Sequence, residues 1–180
     1  MTTRRDLDRE ARRLASLLLE RGLRLVLAES CTGGLVSASL AGVPGISEHF
    51  CGSAVVYRPD TKVRWLGIPR ELLEVPGPVS AEVAIEMARG ALERTPEADV
   101  AASVTGHLGP DAPPEQDGLL FAAVAVRGDG TGASRVVVRE HRLDEKDAAP
   151  GGGSAKRRAR QRSAALIALA LVREVLERER

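Results

Sequence analysis

The chain has 180 residues, the size of one domain, and its 43% apolar and 28% charged residues are typical of a globular protein. Its formal net charge of +1 argues against a general nucleic-acid binder, which carries a marked basic excess. The only two cysteines, Cys31 and Cys51, exclude a disulfide scaffold and lack zinc-ligand spacing.

Apolar periodicity and turn residues predict the elements in chain order. The predicted elements are a helix at 3–21, a strand at 23–28, a helix at 35–43, a strand at 53–57, helices at 60–66 and 80–94, a strand at 98–104, a hairpin of strands 119–127 and 134–143, and a helix at 156–179. Residues 144–155 are rich in Gly, Ala and Pro and are predicted to be mobile. Strands that alternate with helices, plus one hairpin, predict a single α/β domain over residues 1–180, a three-layer α/β/α sandwich with a mixed sheet.

Two sequence features bear on the compartment. The longest apolar run, residues 164–172, is far shorter than the ~20 residues that cross a bilayer. The charged N-terminal segment lacks the apolar core of a signal peptide. We therefore expect a cytoplasmic protein without a membrane partner.

The most informative segment is the loop between the first predicted strand and the helix that follows it. It places a carboxylate, a hydroxyl, a thiol and a second hydroxyl in consecutive positions and ends in a glycine pair: Glu29, Ser30, Cys31, Thr32, Gly33 and Gly34. Backbone N–H groups at a helix N-terminus suit an anion or a developing negative charge. This loop is predicted to be the centre of a site.

Two more strand-end loops, at 57–62 and 105–110, are expected beside it, since ligands of open α/β sheets bind at the carboxyl ends of strands. Lys62 lies five residues after Tyr57, the only tyrosine, which is slightly more than one helical turn. Serine, lysine and tyrosine around one cleft are typical of Ser–Lys hydrolases, in which a desolvated neutral lysine activates the serine. The alternative for Lys62 is an ordinary solvated side chain.

Taken together, these segments resemble the C-terminal domain of the CinA competence/damage-inducible proteins. The resemblance covers residues 6–127 and rests on an ordered series of motifs: 29–34, 43–47, 50–57 with Lys62, 66–68, 77–82, 87–90, 98–99 and 105–110. A weaker match lies in the last helix. Such a series is far more specific than one glycine motif.

The resemblance implies an amidohydrolase that converts nicotinamide mononucleotide to nicotinate mononucleotide and ammonia, without a metal or another cofactor, as a homodimer. It gives catalytic roles to Ser30 as nucleophile, Lys62 as base and Tyr57 as a bridge between them. It gives substrate-binding roles to Glu29, Thr32, Gly33, Gly34, Ser47, Thr105, Gly106 and Arg157, with oxyanion donors near Gly33. It also implies that the pyrophosphatase-like N-terminal domain of long CinA proteins is absent, together with the metal chemistry of that domain.

Several roles have alternatives. Ser47 competes with Ser30 as nucleophile, and Cys31 offers a thiol mechanism with His49 or His107. Glu29 either orients the lysine, or binds the ribose, or is only a strand-end carboxylate beside a helix dipole. The basic cluster at 156–162 either is solvated, or supplies one arginine such as Arg157 to a phosphate, or binds nucleic acid.

Three departures from the family pattern favour a second hypothesis, a nucleotide-binding or interaction module without catalysis. Leu108 replaces the usual alanine, the Gly-rich stretch is altered at 111–118, and the Gly-Asp-Arg before the last helix is missing.

The last helix is apolar around much of its circumference over residues 164–172, which predicts that a second chain or the N-terminal helix covers it. The first alternative gives the expected dimer and the second a monomer.

Overall fold

The computed structural model describes residues 2–110, 112–128, 135–144 and 153–178. Its helices are α1 (Arg4–Arg21), α2 (Leu35–Ala41), α3 (Pro59–Leu66), α4 (Arg70–Glu74), α5 (Ala81–Glu93) and α6 (Gly153–Arg178), with one 3-10 turn at Ile46–Glu48. Its strands are β1 (Leu25–Glu29), β2 (Phe50–Val55), β3 (Val100–Gly106), β4 (Leu119–Val126) and β5 (Arg135–Arg142).

The five strands form one mixed sheet in the order β2-β1-β3-β4-β5. β1 pairs in parallel with both β2 and β3, and β4 is antiparallel to β3 and to β5. The carboxyl ends of β1, β2 and β3 therefore lie at one edge of the sheet, where open α/β sheets bind ligands.

Helices cover both faces of the sheet, which confirms the predicted three-layer α/β/α fold. Alternate residues of β1 point into the two cores: Leu25 and Leu27 pack with α1, α2 and α6, whereas Val26 and Ala28 pack with α3, α4 and α5. All five residues of β1 are buried because both of its faces are covered.

The helix caps follow the sequence signals. Thr3 and Asp6 form a capping box at the start of α1, and the Ser80 hydroxyl accepts from the N–H of Val83 at the start of α5.

Some boundaries differ from the prediction. β2 starts three residues before the predicted 53, because Phe50 already pairs with Leu25, and this edge strand lacks a clear apolar alternation. α4 was not predicted, since five residues are too few to show a helical period. The tip of the hairpin at 129–134 and most of the predicted mobile loop, 145–152, lie outside the described residues.

The last helix is covered within its own chain. Every residue of α6 from Gln161 to Leu176 is buried or half-buried, against α1, α2, β3 and β4. The need for a second chain therefore does not follow from this helix, and the homodimer remains a prediction from the resemblance. Within the described ranges, no helix has both the length and the hydrophobicity that crossing a membrane requires.

Candidate active site

A cavity of about 310 Å³ lies at the carboxyl ends of β1 and β3, beside the loop that follows β2. All three strand-end loops reach it, as predicted. Six of the predicted site residues line it: Ser30, Tyr57, Lys62, Thr105, Gly106 and Arg157. Five of the predicted residues do not: Glu29, Thr32, Gly33, Gly34 and Ser47.

Ser30 and Lys62 form the polar centre of the cavity. The N–H of Ser30 donates to the carbonyl of Val104, which fixes the serine to the end of β3. Lys62, in the first turn of α3, donates from Nζ to Ser30 Oγ at 2.8 Å and to the carbonyl oxygen of Val56 at 2.7 Å. Only 8% of Ser30 and 1% of Lys62 is exposed, so water competes weakly for these contacts.

Burial lowers the pKa of Lys62 from its usual 10.5 to about 8. In the described part of the chain, no carboxylate forms an ion pair with this amine to offset the desolvation. At pH 7 about a tenth of the amine is therefore neutral, and the neutral share reaches about half near pH 8. A neutral amine has a lone pair, and at the same 2.8 Å separation it accepts the Ser30 proton.

The surroundings of Cys31 disfavour the thiolate that a thiol mechanism needs. Its side chain is 4% exposed, and burial raises the pKa of the thiol to about 12, so it stays protonated at neutral pH. His49 lies away from it, at the start of β1, where its carbonyl accepts from the N–H of Leu25. His107 does line the cavity together with Cys31, but the thiol stays protonated there.

Glu29 acts on the helix that follows it rather than on the cavity. Its buried carboxylate accepts hydrogen bonds from five groups: Thr32 Oγ1, the N–H groups of Gly34, Val36 and Ser37, and Ser53 Oγ, at 2.7 to 3.3 Å. These contacts satisfy the N–H groups that α2 leaves open at its start. The reading of Glu29 as a helix-terminus carboxylate fits this geometry, whereas contact with the lysine or a ribose does not.

The glycine pair shapes the turn behind the serine. Gly33 and Gly34 have φ angles of 62° and 97°, which favour glycine. The Gly33 N–H donates to the carbonyl of Ser30, and the Gly34 N–H donates to Glu29. The expectation that N–H groups near Gly33 form the oxyanion site therefore needs correction, because these donors are already engaged.

The expectation for Ser47 also needs correction. It lies on the exposed 3-10 turn that precedes β2, and the neighbouring His49 contacts the beginning of β1. Ser47 is thus at the amino ends of the parallel strands, whereas Ser30 is at their carboxyl ends. Within one chain it reaches neither the Lys62 amine nor a substrate in the cavity.

Arg157 connects two walls of the cavity. Its guanidinium donates to the carbonyl oxygen of Gly109 at 2.6 Å and to the hydroxyl of Tyr57. Tyr57, 55% exposed, therefore sits at the rim as an acceptor from Arg157. The structure does not show it bridging Ser30 and Lys62. The Thr105 hydroxyl is used within the wall, where it donates to the carbonyl of Pro78 at 2.8 Å.

Sequence reasoning missed three residues that hold the cavity together. Arg160, 2% exposed, donates to both carboxylate oxygens of Asp117, with one contact of 3.0 Å, and so fastens the segment that departs from the family pattern. Gln161 donates to the carbonyl of Cys31 at 3.2 Å, directly behind the serine. The basic cluster at 156–162 was visible in the sequence, but nothing local indicated which members turn inward.

The described residues contain no cluster of three or more His, Cys, Asp or Glu side chains that could bind a metal ion.

The chain is similar to known proteins both in sequence and in structure. A family model described as the CinA C-terminal domain matches residues 7–150. A CinA-like protein of Dictyoglomus thermophilum is 41% identical over 118 residues, which are 64% of this chain and 28% of that protein. The chain thus spans less than a third of that relative's length.

Two crystal structures are also similar. The competence/damage inducible protein CihA from Agrobacterium tumefaciens has a TM-score of 0.82 and 32% identity, with 96% of each chain covered. A protein of the competence-damaged protein (CinA) superfamily from Klebsiella pneumoniae has the same TM-score and 26% identity, covering 96% of this chain and 98% of that one.

Proposed function

Because this chain belongs to the CinA C-terminal domain family, we propose that the cavity at Ser30 is the active site of an amidohydrolase. Its proposed substrate is nicotinamide mononucleotide, which is converted to nicotinate mononucleotide and ammonia. The observation that carries the proposal is the buried contact of 2.8 Å between Lys62 Nζ and Ser30 Oγ, with a lysine pKa of about 8. This pair has the two parts that acyl transfer requires, a nucleophile and its base.

In the first half-reaction, neutral Lys62 takes the proton of Ser30 as Oγ attacks the carboxamide carbon. The tetrahedral intermediate collapses when the carbon–nitrogen bond breaks and Lys62 passes that proton to the leaving nitrogen, which departs as ammonia. In the second half-reaction, Lys62 takes a proton from water as the water oxygen attacks the Ser30 ester. When the bond to Ser30 Oγ breaks, Lys62 returns that proton to Oγ, and the acid product loses its own proton to solvent as the carboxylate. Ser30 and neutral Lys62 are thus restored at the end.

Arg157 is the proposed phosphate ligand. It lines the same cavity as Ser30, and a guanidinium fork matches phosphate geometry. A bound phosphate would replace the Tyr57 hydroxyl as one of its acceptors, so that the Tyr57 side chain could turn and donate its O–H to the developing oxyanion. The cavity volume of about 310 Å³ lies at the lower end of the range typical of small-ligand sites, which suits a mononucleotide.

The test is ammonia release from nicotinamide mononucleotide by the purified chain. Ser30→Ala and Lys62→Ala are each expected to reduce turnover about a thousandfold or more. Ser47→Ala is the matched control, because that hydroxyl lies at the opposite end of the sheet, and it should retain turnover. Turnover that survives both active-site substitutions contradicts the mechanism, and loss in Ser47→Ala alone would return the nucleophile role to Ser47.

The second candidate, nucleotide binding without catalysis, rests on the altered segment at 111–118 and the missing Gly-Asp-Arg. It predicts that nicotinamide mononucleotide raises the melting temperature while no ammonia is released. A ligand at 100 times its dissociation constant adds about 2.7 kcal/mol to stability, enough for a clear shift. Ser30-dependent turnover eliminates this candidate.

A further inference from the structure

A second and larger cavity, of about 720 Å³, lies on the other side of the first turns of α6. It is a groove between the first half of α1, the whole of α2 and the start of α6. Arg157 faces the Ser30 cavity, whereas its neighbour Arg158 lines this groove.

The lining of the groove is strongly basic. Four arginines line it, Arg4, Arg12, Arg158 and Arg162, against a single acidic residue, Asp8. This local excess is unusual in a chain whose formal net charge is only +1. An anion in the groove would therefore meet a concentrated positive field.

These arginines differ from others in the same helices. On α1, Arg9 pairs with Asp6 and Arg13 with Glu10, and on α6, Arg160 pairs with Asp117 and Arg173 with Glu10. Within the described ranges, no carboxylate forms an ion pair with Arg4, Arg12 or Arg158. Their guanidinium groups are available for a ligand, whereas Arg162 is held by the carbonyl of Thr2 at 3.2 Å.

Part of the lining of the groove is apolar. Leu7, Leu35, Ala38 and Val43 contribute to it, and Leu7 also belongs to the core beneath. A lining with both arginines and apolar side chains matches a ligand with phosphate groups at one end and a flat ring at the other. The volume is more than twice that of the Ser30 cavity, so the groove has room for a ligand larger than a nucleoside monophosphate.

We propose that the groove between α1, α2 and α6 is a second ligand site, for a small molecule of the nucleoside diphosphate class. Arg12 and Arg158 hold its two phosphates from opposite helices, and the ring lies on the apolar part of the lining. This proposal does not depend on the amidohydrolase activity, since it concerns binding at a separate cavity.

Gln161 lines the groove and also holds the carbonyl of Cys31, the residue after Ser30. The Gln161 side chain therefore connects the groove to the backbone next to Ser30.

Isothermal titration of the full chain with ADP, without magnesium and at 150 mM salt, tests the proposal. One ADP per chain is expected to bind, and adenosine is expected to give no measurable binding. Arg12→Ala and Arg158→Ala should each weaken ADP binding about tenfold. Arg5→Ala is the matched control, an exposed arginine of α1 that does not line the groove, and it should stay within about twofold of the parent chain.

Three results would overturn the proposal. If Arg5→Ala weakens ADP binding as much as the groove substitutions do, the binding depends only on the overall positive charge of the chain. Loss of binding in Arg157→Ala with retention in Arg158→Ala would place ADP in the Ser30 cavity. No heat with ADP at millimolar concentration, together with binding of a 20-base-pair DNA duplex, would make the groove a nucleic-acid contact. All four positions are exposed or half-buried, so melting curves close to the parent's will show that these variants fold.

Discussion

Lys62 Nζ and Ser30 Oγ lie 2.8 Å apart although the two residues are 32 positions apart in the chain, and both side chains are largely buried where they line the cavity. Ser30 directly follows the end of β1, and Lys62 lies on α3. The carbonyl of Val56, just after β2, holds the amine in place from the other side. The pair is therefore fixed by the fold before any substrate arrives, which is the condition for efficient proton transfer.

The rate of ammonia release is expected to rise with pH. Lys62 must be neutral to take the serine proton, and its pKa is lowered to about 8 by burial. The value of kcat/KM should therefore increase from pH 6, bend near pH 8 and level off above it. Initial rates between pH 6 and 10 measure this, and a profile that is flat or falls across pH 8 would contradict lysine as the base.

The burial of Lys62 should also lower the free energy of unfolding of the chain. The pKa of Lys62 is about 8 in the folded chain and near 10.5 when unfolded, so between these values the unfolded state binds more protons and stability rises with pH. Lys62→Met should therefore be more stable than the parent at pH 7, by about 1–3 kcal/mol, with a smaller gain at pH 9.5. Urea unfolding at both pH values gives the free energies, and an unchanged difference between them would refute this account.

Glu29→Gln tests the support behind the serine. In the parent, both carboxylate oxygens of Glu29 accept hydrogen bonds from N–H groups at the start of α2. The substitution replaces one of these oxygens with an NH2 group, which is a donor and cannot accept them. We expect a loss of about 2–4 kcal/mol in the free energy of unfolding and a drop in turnover. The exposed Glu48 provides the matched change, and Glu48→Gln should lie within about 0.5 kcal/mol of the parent.

The sequence predicted the centre of the site better than its periphery. Ser30 and Lys62 could be placed together because both follow parallel strands, whose carboxyl ends share one edge of the sheet. The same rule, applied strictly, separates Ser47 from them, since Ser47 precedes its strand. Motif similarity had grouped all three residues without regard to which end of a strand each occupies.

The long-range side-chain pairs were not predictable in this way. Arg157 meets Tyr57 across 100 residues, and Arg160 meets Asp117 across 43. Successive residues of a helix point about 100° apart, so a cluster of four arginines in seven positions indicates charge but not direction. The packing of α6 against the sheet decides which arginine enters which cavity.

Arg157 should act on substrate binding more than on chemistry. Arg157→Ala is expected to raise KM for nicotinamide mononucleotide about 10- to 100-fold with a smaller effect on kcat, because the phosphate is remote from the reacting bond. Arg157→Lys should recover part of the loss, since it keeps the charge but not the fork. The exposed Arg64 is the control for loss of one positive charge, and an equal KM increase in Arg64→Ala would assign the effect to general electrostatics.

Leu171→Glu distinguishes a buried core position from a subunit contact. Leu171 is 2% exposed in the single chain and packs in the core shared with α1, so a glutamate there buries a carboxyl group without a partner. We expect loss of the cooperative melting transition, by circular dichroism, rather than a folded monomer. Leu19→Glu is the matched change at a position that is 42% exposed on α1, and it should cost less than about 1 kcal/mol. A different result would place Leu171 in the interface of the proposed homodimer. In that case the Leu171→Glu chain would melt like the parent, and light scattering would give 19.1 kDa for the variant and twice that mass for the parent.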